Sequence, residues 1–119
     1  MKLVTFLNQD NQERAGVLLE ADQKIIDLRA SNEMNGGELN PAFLSVLALI
    51  EGGETALDAA KLEIDAPHAD AIIDVGAITL CSPIPRPPQI RDCLCFEDHL
   101  TQAYEVLRKV KAAGEPDPE

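Results

Sequence analysis

The chain has 119 residues, 45% of them hydrophobic, which suits one domain, or one small domain and the start of another, around a buried core. Ten Lys and Arg stand against 21 Asp and Glu, and the net charge of -11 repels phosphate backbones and anionic lipid, so nucleic acid and the membrane surface are excluded as main partners. Three Phe, one Tyr and no Trp offer little stacking surface, and Leu, Ile, Val and Ala must fill the core.

The opening residues, MKLVTFLNQDNQ, turn polar after seven positions and lack the apolar stretch of a signal peptide. No other run approaches the roughly 18 apolar residues of a spanning helix, and a cytoplasmic location is expected. Cys81, Cys93 and Cys95 are odd in number, and the closest two sit two apart, a poor disulfide framework. Free thiols are expected.

Lys2–Leu7 alternates in part, with Val4 and Phe6 on one side and Leu3 and Leu7 on the other, as a short strand does. Residues 8–13 are turn material. The runs RAGVLL (14–19) and KIIDL (24–28) repeat the strand signal, so the first 28 residues read as a three-stranded antiparallel meander. Residues 30–39, rich in Asn, Gly and Glu, read as a loop.

Asn40 before Pro41 marks a helix start, because the Asn side chain caps free amides and proline at the first position loses no needed donor. Phe43, Leu44, Leu47 and Ile50 follow at helical spacing, and Gly52 with Gly53 supplies the stop. A second helix over 54–63 places Leu57, Ala60, Lys61 and Ile64 on one face. The expected fold class is α+β, a small antiparallel sheet packed by two short helices.

His68 reads as a surface loop histidine without a partner. AITLC (77–81) is a further strand candidate, and the next seven residues, SPIPRPP, hold four of the eight prolines in an extended, semi-rigid run. The expected domains are therefore 1–81, a linker at 82–89, and 90–119. In the last, 89–95 reads as a strand and 98–113 as a helix with Leu100, Ala103, Tyr104, Leu107 and Val110 on its inner stripe. The tail, GEPDPE, is acidic and carries two prolines, poor material for packing.

Chemically capable side chains crowd together in the window 91–105, and three readings stand beside one another. In the structural one, Glu97 or Asp98 caps the helix, His99 sits in its first turn and the cysteines are small core residues. In the second, Cys81, Cys93, Cys95 and His99 hold zinc; only Leu94 separates the close pair, and a strand would hold those thiols roughly 6 to 7 Å apart, which counts against two zinc bonds. In the third, Asp92 is an oxygen ligand for Mg2+ or Ca2+ and His99, seven residues later, takes a proton from a nearby water. Glu97, Asp98 and Glu105 are candidates for its missing carboxylates, although neighbours on one helix do not share a centre with Asp92 without an unusual turn.

The run SPIPRPPQI followed by the Asp92–His99 spacing resembles the fumarylacetoacetate hydrolase family, in which an N-terminal domain leads into a mixed β-roll catalytic domain. RAGVLL and FLSVLALIEGG add a looser likeness over the rest of the chain. Many members read Asn-Tyr-x-x-His-x-x-Glu here; this sequence has Cys95 and Phe96 for Asn and Tyr, keeps His99, and has Gln102 for the glutamate. Gln102 can orient an imidazole but carries no charge. The fumarylacetoacetate-cleaving branch instead carries an aspartate ligand seven residues before the histidine, and Asp92 matches it.

The resemblance implies that the strand and helix over 90–119 begin the β-roll domain. It also implies metal-dependent hydrolysis of a carbon–carbon bond in a 1,3-dioxo, acylpyruvate-like acid, with Asp92 as a ligand to Mg2+ (or Ca2+ or Mn2+) and His99 deprotonating a water. The other ligands would lie beyond residue 119, so the chain is expected to be an N-terminal portion that is inactive alone and binds no ion tightly. A stand-alone, non-catalytic module that dimerises through its apolar helix is the alternative. A homodimer is expected under either.

Overall fold

The computed structural model describes residues 1–19, 23–91, 93 and 96–114, and the chain divides into two compact units, Met1–Pro87 and Pro88–Glu119.

The first unit is α+β. Strands β1 (Lys2–Leu7), β2 (Glu13–Leu18) and β3 (Lys24–Asp27) form the expected meander, with Leu3 opposite Val17 and Val17 opposite Ile26. Asn8 sets the β1–β2 turn: its side-chain oxygen accepts from the amides of Asp10 at 3.0 Å and Gln12 at 2.8 Å. Asn11 takes the positive φ of 57° that this turn needs, which asparagine tolerates better than most residues.

Two further strands complete an antiparallel sheet in the order β4-β3-β2-β1-β5. β4 (Ile72–Asp74) pairs Ile73 with Ile25, a strand of three residues too short to announce itself in the sequence. β5 (Thr79–Leu80) lies in the strand expected at 77–81 and pairs with Leu7 and Phe6 of β1.

The first half of the loop expected at 30–39 belongs to a helix, α1 (Leu28–Met34), and the second half is turn and irregular chain as expected. Asp27 ends β3 and at once caps α1, its Oδ1 accepting from the Ala30 amide at 3.0 Å. Ser31, Asn32 and Asn35 are poor helix formers in isolation, but tertiary bonds described below hold them. Gly36, at φ 82°, closes the helix, its amide bonding to Glu33 and that of Gly37 to Asn32.

The helix expected from Pro41 breaks in two. Asn40 caps as expected, accepting from the Ala42 amide, but Pro41–Leu44 is a single 3-10 turn. Ser45 then extends (φ -160°, ψ 162°) and caps α2 (Val46–Glu51) through the Ala48 amide at 3.0 Å. A serine that competes for backbone donors restarts the helix here. Gly53, at φ 59°, opens α3 (Gly53–Asp65).

The buried face of α3 is rotated from the expected one. Ala56, Ala60 and Glu63 are buried, whereas Lys61 is exposed and pairs with Asp58 at 2.7 Å. Small alanines let the helix approach closely, and the core gathers Ala15 and Val17 of β2, Leu28, Phe43, Val46, Leu49, Ala56 and Ala60. Burying side chains the size of Phe43 or Leu49 stabilises by about 1.5 to 3 kcal/mol each.

The second unit carries α4 (Glu97–Gly114), close to the helix expected at 98–113. The Phe96 carbonyl accepts from the Leu100 amide at 3.2 Å. Glu97 and Asp98 in the first turn and Lys111 in the last complement the helix dipole. In the stretch 89–95, Gln89, Ile90, Arg91 and Cys93 have no regular structure, and Asp92, Leu94 and Cys95 lie outside the described residues, as does 115–119.

Candidate functional site

His99 sits in the first turn of α4 with its imidazole exposed. Gln102, three residues on, occupies a neighbouring position on the helix surface and is also exposed. Among the described residues, neither side chain has a hydrogen-bond partner. Asp92, the candidate ligand, falls outside the described residues.

Glu97, Asp98 and Glu105 are exposed along α4. Eight residues of rise separate the ends of this trio by about 12 Å, too far to ligate one ion. Among the described residues, no three His, Cys, Asp or Glu side chains come together as a metal site. Cys81, half-buried in the first unit, and Cys93, exposed in the second, are both free thiols as expected; Cys95 is outside the described residues.

The proline-rich run is tied to the first unit. Thr5 Oγ1 donates to the Pro83 carbonyl at 2.7 Å, and Ile84 packs against the core. Arg86 grips Glu13 with both terminal nitrogens, Nη1 reaching Oε1 at 3.0 Å. That guanidinium, by its hydrogen bond and then its charge, holds the Glu13 carboxyl below the usual carboxylate range, and Glu13 in turn raises Arg86.

Beneath this clasp lies a pocket of about 190 Å3, lined by Thr5, Glu13, Arg14, Val46, Ile84 and Arg86 among others. Ligand sites usually run from about 300 Å3 upward, so this one is a seam between packed elements rather than a substrate chamber. Its two arginines are engaged: Arg86 on Glu13, and Arg14 on Asp27 through Nε at 3.0 Å and Nη2 at 3.2 Å.

A second polar cluster lies between α1 and α3. Glu63, buried, accepts from Ser31 Oγ at 2.7 Å and from the side-chain amides of Asn32 and Asn35, each at 3.1 Å. Ser31 Oγ also accepts the His68 amide at 3.1 Å, so the loop after α3 joins the network. His68 is half-buried rather than a free surface residue, and its Nδ1 accepts the Asp70 amide at 3.3 Å, capping a 3-10 turn over Ala69–Ala71. The His68 cap uses a backbone amide that any residue but proline would supply at position 70, so its partner left no mark in the sequence, and the Glu63 cluster, closing over 28 to 32 residues, gave no local signal.

Among the described residues, no helix is long and apolar enough to cross a membrane. No family model matches the chain, and no curated protein matches it.

Proposed function

We propose that the chain is the leading part of a metal-dependent hydrolase of the fumarylacetoacetate hydrolase family, acting on a carbon–carbon bond of a 1,3-dioxo acid. The observation that carries this reading is the Asp92–His99 spacing of seven residues directly after SPIPRPPQI. His99 suits the role of base because its ring is exposed on a fixed helical turn, where an approaching water can reach it.

The donor chemistry matches a hard cation at one position only. Asp92 offers oxygen, as Mg2+, Ca2+ and Mn2+ prefer, while six or more oxygens are needed around such an ion. The other carboxylates would come from the rest of the protein, and a bound ion would supply charge stabilisation for the enolate that carbon–carbon cleavage releases. Within this chain, Asp92 would anchor the ion and His99 would accept the water proton.

The test is acylpyruvate hydrolysis with Mg2+ by the protein expressed from its full reading frame. His99→Ala should lower kcat by about 100-fold or more, the usual worth of a general base. Hydrolysis that is indifferent to His99 overturns the reading. A non-catalytic interaction module is the second reading, favoured by the exposed Tyr104, Leu107 and Val110 of α4. An active full-frame protein excludes it.

A further inference from the structure

We infer that α4 pairs antiparallel with α4 of a second copy of this chain. Phe96, Leu100, Ala103, Leu107 and Val110 recur at alternating spacings of four and three residues, the seam of a two-helix coiled coil. Phe96, Leu107 and Val110 are 75%, 55% and 65% exposed, while Leu100 and Ala103 are half-buried. Isolated apolar residues on a surface are ordinary, but four on one stripe of a helix about 27 Å long, with Phe96 immediately before its first turn, form a contiguous face.

Charge selects the occupant and its direction. The chain carries -11, yet α4 holds three acids, Glu97, Asp98 and Glu105, and three bases, Arg108, Lys109 and Lys111. This helix is neutral and therefore not repelled by its own copy. Its acids lie towards the start and its bases towards the end, so it is complementary to itself only when one copy is reversed. A parallel pair would set acid beside acid.

The seam fixes the register. Leu100 lies opposite Val110 of the second copy, Ala103 opposite Leu107, and the Phe96 ring falls over Gly114, where no side chain obstructs it. Glu97, Tyr104 and Lys111 share one flank of the stripe, and this register puts the two-fold axis level with residue 105, which leaves Glu97 of each copy about 3 Å of helix rise from the level of Lys111 of the other, within reach of its side chain. One short helix covers less than the ~800 Å2 per partner of a standard interface, so the dimer should form only at tens of micromolar and above, an order-of-magnitude expectation. The inference stands on the helix alone: a failure of metal binding leaves it intact, and a monomer leaves the hydrolase reading intact.

Carbodiimide crosslinking of mixed unlabelled and 15N-labelled chains tests it, together with sedimentation velocity from about 5 to about 500 µM, a range bracketing a weak interface. The expected product joins Glu97 of one copy to Lys111 of the other; within one helix these residues are about 21 Å apart and cannot be joined directly. Glu97→Lys and Lys111→Glu should each weaken association at least about fivefold, and the double exchange should restore it. An equimolar mixture of the two single variants should associate better than either alone. A monomer throughout the range, a dimer indifferent to both reversals, or a mixture no better than its parts overturns the inference. If either variant loses helix content by circular dichroism, the wild-type crosslink decides, and its absence from mixed-label dimers overturns the pairing.

Discussion

Ser31 donates its hydroxyl hydrogen to the Glu63 carboxylate over 2.7 Å, and both residues are buried at the contact between α1 and α3. A carboxylate out of water needs donors on both oxygens, and Asn32 and Asn35 supply the others. Glu63→Gln would turn an amide towards these donors and should cost about 1 to 3 kcal/mol. Urea denaturation of Glu63→Gln, Ser31→Ala and the double variant checks it: a double-mutant cycle should give non-additivity, because the two side chains act as one unit.

Arg14 and Asp27 join β2 to the start of α1. Asp27 receives two bonds from the guanidinium and one from the Ala30 amide, with only 6% of its side chain exposed. Asp27→Ala should destabilise by about 3 to 5 kcal/mol, since it strands a shielded cation and removes a helix cap. Asp27→Asn, which keeps a capping oxygen, should cost less. Equal losses in thermal denaturation would show that the cap contributes nothing.

Much of this architecture was legible and some was not, for identifiable reasons. The meander, the Asn40 cap, the stop at Gly52 and Gly53, and α4 were readable because each is set by neighbours in sequence. Helix α1 was hidden behind Ser31, Asn32 and Asn35, whose side chains are held by Glu63, far along the chain. On α3, Ala60 and Ile64 of the expected face do pack at the core, but Lys61 is exposed and Glu63, which has distant partners, is buried. Of the candidate site, the sequence yields residue types and spacing. His99 and Gln102 occupy one exposed helical surface, and Asp92 is outside the described residues.

Gly16 is fixed by its neighbours above the sheet. A Cβ there would lie 2.5 Å from Cγ2 of Ile25, 2.8 Å from the Ile26 carbonyl oxygen and 3.0 Å from the Phe6 ring. Because one of these is backbone, the site cannot relax by a rotamer change. Gly16→Ala should cost about 1 to 3 kcal/mol by overpacking. A neutral or stabilising result in chemical denaturation would mean that the β1–β2–β3 contact is looser than described.

The Glu13–Arg86 clasp should respond to acid. A carboxyl held below its usual range keeps its charge, and hence its hold on Arg86, from neutral pH down past the ordinary carboxylate range. The contribution is present above the unfolded-state value and is lost as pH falls through the lower folded value. Both groups are open to solvent, so salt should weaken the clasp as well. NMR titration of the Glu13 carboxyl carbon should give a midpoint below that of a glutamate in an unstructured peptide, and Arg86→Ala should raise it.

The measurement that bears most directly on the proposed function is calorimetric titration of Mn2+ into the full-frame protein, its Asp92→Ala variant and the 119-residue chain. The account predicts binding by the full-frame protein that Asp92→Ala weakens at least about tenfold, as loss of one of few carboxylate ligands should, with only weak binding by the chain alone. Tight binding by the 119-residue chain, or full-frame binding unchanged by Asp92→Ala, would contradict it.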